Sequence, residues 1–114
     1  MSWVNQYVGR QYTPQHNCYF WMAHIQRHIF RRHVPLDQPE NISAMLQTSR
    51  QWVTVPVPEE GAVAFLSRID EPHHIGVVAE AGVVHALEGF GVVYESFSRL
   101  RQDGWQILRY KVPR

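Results

Sequence analysis

Residues 74–87 read His-Ile-Gly-Val-Val-Ala-Glu-Ala-Gly-Val-Val-His-Ala-Leu. Two runs rich in β-branched residues, 74–80 and 83–87, flank a turn around Ala81-Gly82, which is the pattern of two neighbouring strands. Working outward, residues 62–68, 92–97 and 105–112 are three more strand candidates, with Gly82, Gly89, Gly91 and Gly104 supplying turns. Just upstream, residues 53–60 read V-T-V-P-V-P-E-E. Two prolines make this stretch an extended connector rather than a central strand.

The first half reads as helical. Trp3 and Tyr7 stand four apart, the spacing of a short helix. Gly9 and Pro14 bracket a loop. Cys18, Met22, Ile25 and Ile29 share one face of a helix over about residues 17–33, with Trp21 and Phe30 beside it. Asn17 is a good N-cap, which places Cys18 in the first turn, and Pro35 ends the segment. A second short helix is expected over residues 42–52, with Ile42, Met45 and Leu46 inward. Helices followed by strands indicate an α+β domain: N-terminal helices packed on an antiparallel β-sheet of about five strands.

The chain has 114 residues, 45% of them hydrophobic and 18% charged. That suits one compact globular domain covering residues 1–114. The formal net charge of +1 gives no reason to expect nucleic acid as a partner. The densest basic stretch, Gln26 to His33, reads as a solvated face of the long helix. There is one cysteine, so no internal disulfide forms. No signal-peptide pattern and no membrane-span window is present, which predicts a soluble chain made in the cytoplasm.

A cysteine in the first turn of a helix faces partial positive charge and unpaired N–H groups. Both favour the thiolate, and the same N–H groups can hold an oxyanion. A lone cysteine is nonetheless more often a small hydrophobe than a nucleophile. His74 and His85 alter that balance. Histidines on adjacent strands can lie side by side on one sheet face. One could face the thiol while the other orients it, the nucleophile–base–orienter arrangement of cysteine hydrolases. The alternative is that each is a satisfied core or surface histidine.

These residues resemble the NlpC-like peptidases, papain-fold cell-wall hydrolases. The matching pieces, in the family's order, are Gly9-Arg10-Gln11-Tyr12, Asn17-Cys18-Tyr19-Phe20, Glu60-Gly61-Ala62-Val63, His74-Ile75-Gly76-Val77-Val78 and Val84-His85-Ala86. The tail of residues 89–100 and the short cysteine helix look like phage-associated members. Asn17 stands where the family has aspartate, Tyr19-Phe20 where it has Ser-Gly, and Ala62 where it has aspartate.

The resemblance implies a papain-like fold, Cys18 as nucleophile, His74 as base, His85 as the orienting residue and Tyr12 as an oxyanion helper. The family's H-x-G spacing selects His74 over the adjacent His73, since strand neighbours face opposite ways. It implies no cofactor. Its substrate would be an amide in the peptide stem of peptidoglycan, its partners muropeptides and phage tail proteins. The enzyme would reach the wall by phage- or machine-mediated delivery. Two other classes stay open. Cys18, His74 and His85 could hold zinc, as could His24 and His28 at helical spacing, although the set falls short of four ligands. The chain could also be a non-catalytic tail or wall-binding subunit, or a delivered antibacterial amidase toxin.

Overall fold

The computed structural model describes residues 2–34 and 52–113. Its frame is a six-stranded antiparallel sheet in the order β1-β6-β2-β3-β4-β5. The strands are β1 (Trp52–Val55), β2 (Val63–Arg68), β3 (Glu71–Ala79), β4 (Gly82–Leu87), β5 (Gly91–Ser96) and β6 (Gln106–Pro113). Among the described residues the helices are α1 (Cys18–His28) and the short α2 (Phe97–Gln102).

This corrects the expected class. The molecule is a small β-rich fold and not a papain-like α+β domain with several N-terminal helices on a five-stranded sheet. Two local causes account for the difference. Trp3 and Tyr7 sit on and just after a single 3-10 turn, Trp3–Gln6, too short to form a packing layer. The Trp-Val-Thr-Val run ahead of Pro56 pairs with the C-terminal strand, Val53 opposite Val112, and adds a sixth strand at one edge. An edge position is where a proline-flanked strand can stand, because no partner asks for its outer N–H groups. The expected helix over residues 42–52 lies outside the described residues, except for Trp52, which opens β1.

Helix α1 is shorter than the residues 17–33 its spacing predicts. It ends at a cap on Ile29, and Arg31 takes a left-handed φ of 58°. Gln26 is fully buried rather than solvated. Its amide donates to the Gly61 carbonyl at 2.7 Å, and Arg32 donates to both Gln26 and Gly61. Part of the basic stretch is therefore an internal clasp.

The sheet buries both faces. Val63, Phe65, Ile75, Val77, Ala79, Val84, Ala86 and Val92 meet α1 and the N-terminal turn. Ala64, Leu66, Val78 and Val83 meet Leu100 of α2 and Trp105. Two-sided burial explains why β2 and β4 read as continuous apolar runs instead of alternating ones. At the β5 end of the sheet, the Gly9 N–H donates to the Val92 carbonyl at 2.9 Å and the Val92 N–H donates to Arg10 at 2.8 Å. Gly91 permits this approach: with φ of 84°, any Cβ there would stand 2.5 Å from the Arg10 carbonyl oxygen.

Candidate functional site

Cys18 opens α1, as the Asn17 cap requires. The Asn17 side chain accepts a hydrogen bond from the Phe20 N–H at 3.2 Å. Cys18 is partly exposed and packs with the α1 layer. The Ile75 backbone N–H lies close enough to its sulfur to favour the thiolate. Burial pushes the thiol up to about 11, with the Glu71 charge adding to the rise and the Ile75 N–H opposing it. Desolvation thus outweighs the helix-terminus effect that favours thiolate. At neutral pH Cys18 is a thiol.

His74 and His85 meet as their strand positions predict. His74 Nε2 and His85 Nδ1 are 2.8 Å apart, and both residues are buried. Trp105 stacks on His74 at 4.8 Å between centroids and meets His85 edge-on. These contacts place both rings on the Trp105 face of the sheet, whereas α1 covers the other. Cys18 meets β3 at Ile75, and His74, one residue earlier, turns its ring to the face of the sheet opposite α1. Among the described residues, no hydrogen bond joins the thiol and the imidazole.

Two carboxylates that the sequence reading did not single out complete the line. Glu95 Oε1 lies 2.8 Å from His85 Nε2. Glu71 Oε2 lies 2.5 Å from His74 Nδ1, a close contact without the alignment of a hydrogen bond that is the main cause holding the Glu71 carboxyl down. Glu95 was legible in principle. It pairs opposite Val83 while His85 pairs opposite Val93, so the two are diagonal neighbours on one face. Glu71 was not. Leu66 pairs with His74 but Arg68 with Glu71, so β3 carries an extra residue there. Such a bulge re-aims side chains and brings Glu71 to the His74 ring.

Tyr12 is partly buried beside the same cluster. Burial raises its hydroxyl, with Cys18, Glu88 and Glu71 adding to the rise. The main chain next to it is held by the Trp21 indole, which donates to the Gln11 carbonyl at 3.1 Å. His73 is exposed. A cavity of about 810 Å³ opens beside Glu71 and Glu95, with Arg68, Arg99, Tyr94 and Phe90 on its walls.

His24 stacks on His28 at 4.2 Å, and its Nδ1 is engaged by the Tyr7 hydroxyl at 2.8 Å. Among the described residues, no group of three or more His, Cys, Asp or Glu side chains is arranged to hold a metal ion. None of their helices is long and apolar enough to cross a membrane. Comparison with family models, with curated proteins and with solved structures finds no match.

Proposed function

We propose that the chain is a cysteine-dependent acyl-transfer hydrolase with Cys18 as nucleophile and His74 as base. The observation that carries this reading is the state of His74 Nδ1. It is a buried nitrogen with no aligned hydrogen bond, on the residue next to Ile75, whose N–H opposes the rise of the thiol pKa. Its other nitrogen is fixed by His85.

Because the thiol is protonated at rest, His74 works as a general base during attack rather than as half of a standing ion pair. For the reaction the Glu71 carboxylate leaves Nδ1 and the Cys18 sulfur and the His74 edge close the gap beside Ile75, whereupon Nδ1 takes the thiol proton. The sulfur attacks the carbonyl carbon, and His74 returns the proton to the leaving amine. Water then attacks the thioester, giving its proton to His74, and the acid and the thiol are regenerated. The Cys18 N–H and the Tyr12 hydroxyl serve the oxyanion. Such donors are worth on the order of a hundredfold each in rate.

The resemblance to NlpC-like peptidases supplies the substrate class, an amide in the peptide stem of peptidoglycan. It also supplies the setting, a phage-associated or machine-delivered enzyme acting on the wall. Mass spectrometry of muropeptides incubated with wild type and Cys18→Ala tests activity, bond and nucleophile together. Cleavage by wild type and none by the variant is expected. Full activity in Cys18→Ala overturns the mechanism.

One observation favours a second reading. The Glu71 carboxylate occupies the His74 nitrogen that a cysteine would need, and the thiol is pushed up to about 11. A non-catalytic wall- or tail-binding subunit would have such a quiet thiol. Selective labelling of Cys18 near neutral pH favours the enzyme; slow, ordinary labelling favours the binding subunit.

A further inference from the structure

The contacts that orient His74 do not stop at His85. We propose that Glu95 is a positioning residue that fixes which nitrogen of His74 is free to accept a proton. This rests on the reading in which His74 serves Cys18 as base.

An ionised carboxylate has no hydrogen to give. Glu95 is ionised, its carboxyl held down to about 2, first by its hydrogen bond to His85 and with Asp103 and Arg99 also lowering it. His85 must therefore carry its hydrogen on Nε2, 2.8 Å from Glu95 Oε1. Burial keeps His85 neutral, lowering its pKa against the opposing pull of Glu95. A neutral imidazole with hydrogen on Nε2 has its lone pair on Nδ1. That nitrogen accepts, so the donor across the 2.8 Å contact is His74 Nε2–H. A His74 ring with its hydrogen on Nε2 has its lone pair on Nδ1. The ionised Glu71 carboxylate 2.5 Å from that nitrogen favours a hydrogen there. Its side chain, however, is 38% exposed and can turn to solvent, whereas that of Glu95 is 10% exposed and held by His85.

Reversing the first link reverses every link. A hydrogen-bond donor at position 95 would move the His85 hydrogen to Nδ1 and make His74 Nε2 the acceptor. The His74 hydrogen would then sit on Nδ1, where a base needs a lone pair. Water is poorly placed to scramble this order. The His74 and His85 side chains are fully buried, that of Glu95 is 10% exposed, and Trp105 covers both rings.

Nitrogen-15 NMR of histidine-labelled full-length chain, above the histidine titration range, reads the tautomers directly. In wild type, His85 and His74 are both expected to carry hydrogen on Nε2. In Glu95→Gln, whose amide can donate, both rings should become mixed or inverted, and Glu95→Asp should restore the wild-type pattern. A wild-type His85 with hydrogen on Nδ1 overturns the proposal, even if Glu95→Gln does not fold. So do unchanged tautomers in folded Glu95→Gln.

Muropeptide hydrolysis supplies the second readout. Glu95→Gln should lower kcat on the order of a hundredfold, leave KM in place, and be partly rescued by Glu95→Asp. Full activity in Glu95→Gln overturns the positioning role. A wild type that never hydrolyses removes the hydrolase reading, and the tautomer order is then decided by the spectrum alone.

Discussion

A Cβ on Gly76 would stand 2.9 Å from the Cβ of His85 and 2.7 Å from the Val84 carbonyl oxygen, closer than such atoms pack. The glycine two residues after His74 lets the strand carrying His85 come near enough for the imidazoles to bond. Gly76→Ala is expected to cost about 2 kcal/mol, since backbone cannot yield as a side chain can. In a chain of this size that lowers Tm by roughly 10 °C. A thermal melt followed by circular dichroism checks it, and an unchanged Tm would show that β3 and β4 have slack there.

Glu71 bears on the thiol as well as on His74. Its charge is one cause of the raised Cys18 pKa. Glu71→Gln removes that cause, lowers the pKa and increases the thiolate fraction. Alkylation of Cys18 at pH 8 should speed up about threefold to tenfold, one pKa unit being tenfold in thiolate. Iodoacetamide kinetics read by intact mass would settle this, and a slower reaction in the variant would contradict the charge assignment.

Acid should weaken the fold in two stages. His85 and Glu95 both have folded-state pKa values below their ordinary ones of 6.5 and 4.5. The unfolded chain therefore binds more protons, and stability falls as pH falls. The His85 stage begins as pH drops through 6.5, and the Glu95 stage runs from 4.5 towards about 2. Urea midpoints measured from pH 7 to pH 3 should decline throughout, and Glu95→Gln should flatten the lower stage. A midpoint that is constant over this range would refute both assignments.

Asn17 closes the start of α1 through its contact with the Phe20 N–H. Asn17→Ala should cost about 1 kcal/mol. Asn17→Ser, which keeps a capping oxygen, should recover most of that. Equal melting points for all three proteins would show that the cap carries no stability.

Much of the strand pattern was legible because glycines punctuate β-branched runs from residue 62 onward. The start of α1 was legible because Asn17 is a capping residue followed by helical spacing. The class was misread at two places where local signals mislead. Pro56 and Pro58 hid the short strand before them, which needs a C-terminal partner no local pattern reveals. Trp3 and Tyr7 have helical spacing yet occupy a single turn. At the site, the meeting of His74 and His85 followed from strand adjacency. The raised Cys18 thiol did not, because desolvation depends on what packs around the sulfur. Glu71 was hidden by a bulge, and a bulge shifts register without a sequence signature of its own.

The pairing of Gly9 and Arg10 with Val92 has a consequence for how copies of the chain treat one another. Strand β5 is the last in the sheet order, and an open last strand is a template on which a second molecule can grow. The chain's own N-terminal arm fills part of that template. Trimming the first ten residues would uncover it and invite edge-to-edge aggregation, so the arm acts as a built-in guard of solubility.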